Sequence, residues 1–144
     1  MNETQNFQNH ARYFPLFHFV IFPLLALNLI GQGVMLYLRP SWHQAGFVAL
    51  SVVFILMILA ARLQSLKVQD RVIRLEERIR YGQLLPAELL QKTGSLTIGQ
   101  IIALRFASDE ELPDLVNRTL AGEFASPKDI KMAITNWRAD HLRA

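Results

Sequence analysis

The chain is predicted to be all-α: a transmembrane helical hairpin whose long second helix extends into a small cytoplasmic helical domain. Three observations predict this. Residues 17–38 form an uncharged apolar run. A second uncharged run, AGFVALSVVFILMILAA, covers Ala45–Ala61. Charge arrives at Arg62, yet no Pro or Gly interrupts the helical pattern until Gly82. A helix rises 1.5 Å per residue, so a continuous one from Gln44 to Tyr81 would be roughly 55 Å long, against a hydrocarbon core of about 30 Å. Part of it must stand in water.

The distribution of charge supports the division. Of 15 Lys and Arg residues only Arg12, Arg39 and Arg62 precede Leu63, and of 12 Asp and Glu residues only Glu3 does. A soluble bundle that buries the hairpin is the competing arrangement, which the segregation of charge disfavours. The formal net charge of +3 is too mild to imply a nucleic-acid partner. The chain has no Cys, so disulfide and thiolate chemistry are excluded. The first apolar run lacks a small-x-small cleavage site, so no cleavable signal peptide is expected.

Taken in order, residues 1–16 form an interfacial segment. Its stretch NHARYFPLFHF places aromatic rings, His10, Arg12, Tyr13 and His18 where headgroups would lie. An anchor is the plainer reading; a small-ligand or partner site on those four residues is the sharper one. Two His residues with no flanking acid do not make a metal or haem site, so no metal and no cofactor is assigned.

The hairpin covers residues 17–62, with spans at about 17–38 and 45–62. Pro23 deprives the Phe19 carbonyl of a partner and is expected to kink the first span. Asn28 and Gln32 are four apart and share one face; Gly31 and Gly33 offer thin surface for close helix approach. Polar packing on the second span or another subunit is the expected role. Tyr37 and Trp42 mark the opposite interface, Pro40 breaks the helix, and Ser41 caps the next one. Basic residues follow the second span, so positive-inside bias places both termini in the cytoplasm.

The extension, residues 63–82, carries Val68, Val72, Leu75 and Ile79 at spacings of four, three and four. This stripe is expected to pack on the distal domain or to zip with another subunit. Its basic neighbours would attract anionic lipid headgroups weakly.

Residues 83–144 are predicted to form three or four short helices. Pro86 starts the first. Thr97 with Gln100, and Ser108 with Glu111, fit capping boxes. Gly122 is a stop. Ser126, Pro127 and Asp129 launch a last helix with Ile130, Ile134 and Trp137 on one face. Lys128, Lys131, Asn136 and Arg138 on that helix are too few for a DNA-recognition helix. The cluster Asp109, Glu110, Glu111 and Asp114 is explained by its place at a helix start.

No nucleotide loop, metalloprotease motif or nucleophile elbow is present, so no catalytic residue is assigned. The expected role is non-enzymatic: a membrane-anchored scaffold or accessory subunit in the lipid bilayer, oligomeric with itself or another membrane protein. The alternatives are a membrane component that binds a small ligand or cofactor, and a small oligomeric channel or transport component lined by Asn28 and Gln32.

Four stretches, Asn9–Phe19, Lys67–Arg80, Ile101–Val116 and Ser126–Arg143, together resemble an uncharacterised family, of unknown function, of small bacterial two-span membrane proteins. The resemblance implies a membrane location and a bacterial source, which with the charge bias above gives the bacterial cytoplasmic (inner) membrane, and it brings no activity, cofactor or catalytic residue.

Overall fold

The structure, a computed structural model, describes residues 6, 7 and 14–140. Six α-helices lie among them: α1 (Phe22–Leu38), α2 (Trp42–Leu84), α3 (Ala87–Lys92), α4 (Ile98–Leu104), α5 (Leu112–Leu120) and α6 (Pro127–Ala133). The chain divides into two compact units. A hairpin unit covers residues 13–67, and a distal unit is built mainly from residues 68–143. α2 contributes to both.

In the hairpin unit, Leu16–Ile21 is a π-helical turn, closed by the Phe22 N–H donating to the Phe17 carbonyl. Pro23 accounts for it. Proline has no N–H, and its ring crowds the carbonyl four residues back, so the preceding turn widens. The expected disturbance at Pro23 therefore takes the form of a wide turn. α1 ends where the Arg39 N–H reaches the Met35 carbonyl at 2.8 Å. Pro40 cannot continue the helix, and Ser41 Oγ accepts from the Gln44 N–H at 3.1 Å to start α2.

Two polar ties join α1 to α2. Gln44 Nε2 donates to Gln32 Oε1 at 2.6 Å, and Ser51 Oγ donates to Asn28 Oδ1 at 2.7 Å. The apolar side chains point outward: Leu24, Leu27, Ile30, Leu38, Phe47, Val53 and Leu56 are all exposed. The continuous helical stretch Leu16–Leu38, which is the π-helical turn together with α1, and α2 are each long and apolar enough to cross a membrane by length and composition. In the most apolar stretch of α1, 0% of the residues are buried, and in that of α2 only 6%. The competing soluble bundle needs these side chains buried, and the described chain does not bury them.

The distal unit is built on the last turns of α2. Ile73 and Tyr81 face inward and are buried, with Leu85 just beyond the helix. Tyr81 and Leu85 join Leu96, Ile101, Leu104, Phe106, Leu112, Leu115, Val116, Ile130 and Ile134 in one apolar core. Each such side chain, fully withdrawn from water, contributes about 1.5–3 kcal/mol. The core thus draws on both sides of residue 83, through Tyr81 and Leu85, and the distal unit takes in α2 from residue 68 onward.

Helix ends follow local chemistry. Thr97 and Gln100 form a complete capping box at α4. At α5 only half of the expected box forms. Ser108 Oγ accepts from the Glu111 N–H at 3.3 Å, but Glu111 Oε2 accepts from the Asn136 N–H at 3.1 Å. Gly122 takes φ +78° after α5, and the Glu123 N–H reaches back to the Arg118 carbonyl at 3.1 Å. Gly99 lets Pro127 approach: a Cβ there would lie 3.1 Å from the proline Cγ, so α4 and α6 pack closely.

The expected last helix is shorter than its apolar spacing suggests. α6 ends at Ala133, and Ile134 is extended, with φ −73° and ψ 123°. The chain then runs antiparallel to the segment after α4, with a bridge between Ala107 and Trp137. The Arg138 N–H donates to the Phe106 carbonyl at 2.7 Å, and the Ser108 N–H to the Asn136 carbonyl at 3.0 Å. Asn136 and Arg138 are therefore not on a recognition helix.

Candidate functional site

The distal unit places a cluster of charges at the edge of its core. Glu77 and Arg80 lie on α2, Arg105 follows α4, Asp109 lies in the next loop, and Arg138 and Asp140 lie on the C-terminal extended segment. Glu77, Arg80 and Arg105 are buried. A long arginine can be buried only if its guanidinium is met by acceptors.

Arg80 meets that demand. Its Nε and Nη2 donate to Asp109 Oδ1 at 2.9 and 2.6 Å. Nη1 donates to Glu77 Oε2 at 3.2 Å, and Nη2 also donates to the Ala107 carbonyl at 2.7 Å. The planar fork thereby ties α2 to the loop between α4 and α5. Arg105 Nε lies 3.1 Å from Asp140 Oδ2, and its guanidinium sits 4.3 Å over the Phe106 ring. Arg138 Nη1 lies 3.8 Å from Glu77 Oε1.

A cleft of about 480 Å³ opens beside this cluster, lined by Glu76, Glu77, Arg80, Arg105, Arg138 and Asp140 among others. Three arginines and three carboxylates balance its charge. Among the described residues no three His, Cys, Asp or Glu side chains are grouped to hold a metal ion. Glu77, Arg80, Arg105, Arg138 and Asp140 are engaged in ion pairs, which is the chemistry of holding a fold together.

Burial pushes the Glu77 carboxyl above its ordinary value near 4.5; Arg80 first, then Arg138 and Arg105, oppose the shift. A carboxyl that binds its proton more tightly when folded favours the folded state most at pH below its unfolded value. That contribution is lost as pH rises from about 4.5 through the folded value. Glu77→Gln should therefore flatten the fall in stability over that window, and should cost little at pH 7 because Asp109 still holds Arg80. Thermal midpoints of both proteins across pH 4.5–8 check this. A variant less stable by the same margin at every pH would contradict it.

The four residues of the α2 stripe are all exposed: Val68 60%, Val72 47%, Leu75 61% and Ile79 66%. They do not pack on the distal domain, which was one of the two expected roles. The opposite side of the helix, through Ile73, Glu77, Arg80 and Tyr81, enters the domain instead.

The other sequence-derived positions are distributed as follows. His10, Arg12 and Tyr13 lie outside the described residues. His18 Nδ1 lies 3.0 Å from the Phe14 carbonyl, and its ring meets Phe17 edge-on at 5.0 Å. The Arg62 guanidinium lies 5.9 Å from the centre of the Phe17 ring. Asn28 and Gln32 both reach α2. A Cβ at Gly31 or Gly33 would meet nothing within 4 Å among the described residues, so neither glycine serves a close approach between them.

The buried Glu77–Arg80–Asp109 tie is absent from the sequence-derived set. One signal pointed toward it: Glu77 and Arg80 fall between the apolar Ile73 and Tyr81 on one helical face.

Fold and site together define a class of protein: an apolar two-helix hairpin whose second helix ends in the core of a small all-α domain tied by buried arginine. The chain belongs to the Family of unknown function (DUF6526), whose family model matches residues 1–144. No curated protein and no solved structure matches it.

Proposed function

We propose that this chain is a non-enzymatic, membrane-anchored scaffold or accessory subunit of the bacterial inner membrane. α1 and the first part of α2 cross the bilayer as a hairpin, and both termini lie in the cytoplasm. The carrying observation is the course of α2. One unbroken helix leads from a 17-residue uncharged run, Ala45–Ala61, to Ile73 and Tyr81 in the distal domain. The outward apolar faces of the hairpin unit support a lipid environment, since water would meet an apolar surface far larger than monomeric soluble proteins expose. Arg62, Lys67, Arg71, Arg74, Arg78 and Arg80 follow the second span, against Arg39 alone in the connecting loop, which supports the orientation. Anionic headgroups would add weak attraction to Lys67, Arg71, Arg74 and Arg78, which are exposed.

The absence of native Cys makes the topology directly testable. Ser41→Cys, in the connecting loop, should react with a membrane-impermeant maleimide in intact spheroplasts. Glu110→Cys, in the distal domain, should react only after permeabilisation. The reverse pattern would invert the topology. Extraction of the protein by alkaline carbonate would overturn the membrane anchor. The same anchored protein, recovered in mild detergent, should bring a partner subunit or further copies of itself; a bare monomer would overturn the scaffold role.

A further inference from the structure

We infer that the exposed face of α2 is a parallel, two-stranded coiled-coil seam that a second copy of this chain completes, an inference that rests on the membrane-anchored reading above. Three features of the helix carry it. Its spacings of four, three and four place Val68 and Leu75 at d positions and Val72 and Ile79 at a positions of a heptad. Both a residues are β-branched, and with Leu75 at d they match the combination that favours two strands in parallel; Val68 at the other d position departs from it. All four side chains are exposed, on a face that the distal domain leaves uncovered.

Charge selects the second copy and its direction. With Val72 at a, Arg71 and Arg78 occupy g positions, and Gln69, Glu76 and Gln83 occupy e positions. In a parallel pair each g residue meets the e residue five places on in the partner helix. Arg71 then faces Glu76, and Arg78 faces Gln83, with no like charges opposed. In an antiparallel pair g meets g, and the arginines of the two copies would oppose one another. Two membrane hairpins of the same topology present their α2 helices in the parallel sense. Arg71, Glu76, Arg78 and Gln83 are all exposed and available.

A seam of about two heptads is short for helices that must also fold on association. Here the helix is already formed, because Tyr81 on its other side is held in the distal core. Association therefore costs little backbone ordering, and confinement to one bilayer raises the effective concentration of the partner.

In a parallel pair every a or d residue meets its own counterpart, so single cysteines in this Cys-free chain read the geometry. Val72→Cys and Leu75→Cys should each give a disulfide-linked dimer on mild oxidation in membranes. Arg74→Cys, exposed but off the seam, should not. Arg71→Glu should lower the cross-linked fraction at position 75 by about threefold or more, and Arg71→Glu with Glu76→Arg should restore it. No dimer at positions 72 and 75, or equal dimer at position 74, would overturn the seam. A cross-linked species whose mass requires a different polypeptide would overturn the second copy as the occupant. The two readings fail separately. A carbonate-resistant protein that does not cross-link rejects only the seam, and a carbonate-extracted protein that does cross-link rejects only the anchor.

Discussion

Replacing Arg80 with methionine is expected to unfold the distal unit at temperatures the native protein tolerates, while the helices of the hairpin unit persist. Methionine fills much of the space but supplies no donor. It leaves Glu77 buried with Arg138 no nearer than 3.8 Å and removes the donor to the Ala107 carbonyl. Breaking one side of a buried ion pair costs about 3–5 kcal/mol, a large share of the roughly 5–15 kcal/mol that holds a typical domain. The loss should grow as pH rises, because the abandoned carboxyl ionises.

Lysine at position 80 should recover only part of the stability, since a point charge cannot reach Asp109, Glu77 and a carbonyl together. Arg80→Met combined with Glu77→Leu should recover more, because no buried charge is then left unmatched. Hydrogen exchange of the amides in α4 and the following loop reads the effect locally. Unchanged protection in Arg80→Met would mean that the guanidinium is not the tie between α2 and that loop.

Phe106→Ala is expected to be comparably damaging, by a different route. Phe106 is fully buried, and its ring centre lies 5.1 Å from that of Trp137. Arg105 covers one approach to the ring at 4.3 Å, and Lys131 another at 5.5 Å. Truncation removes the ring from a closed site, at a cost of about 3–5 kcal/mol. Leucine at the same position keeps most of the apolar volume and should cost clearly less. Chemical denaturation followed by Trp137 emission, with Trp42 replaced by Phe, measures both variants. A loss below about 1 kcal/mol in Phe106→Ala would place the ring outside the core.

The hairpin and the length of α2 were legible because both depend on local facts: runs without charge, and a stretch without helix breakers. The caps at Thr97 and Ser126 and the stop at Gly122 were legible for the same reason, since each is a contact between residues two to five apart. What escaped depends on partners distant in the chain. Arg80 stands four residues after Glu76, the spacing of a solvated helix pair, whereas its shortest tie is to Asp109, 29 residues on. Glu111 read as the second half of a capping box, but its carboxylate is taken by Asn136, 25 residues on. Ile134 and Trp137 suit a helical face by spacing alone. The backbone pairing of Ala107 with Trp137 overrides that pattern, as tertiary hydrogen bonding often overrides periodicity. The stripe on α2 was recognised, but periodicity could not say which side of the helix the domain would take.

Because Ile73, Glu77, Arg80 and Tyr81 are supplied by α2, the last turns of that long helix are also the first element of the folded domain. Modularity in this chain therefore does not follow the visible change from apolar to charged composition. A gene-fusion event that joined the globular part to another anchor at residue 83 would transfer an incomplete core. One that cut near residue 67 would carry every side chain of that core, from Tyr81 to Ile134. Heritable shuffling of this domain is thus constrained to junctions inside a helix, where an inserted or deleted residue turns all that follows by about 100°.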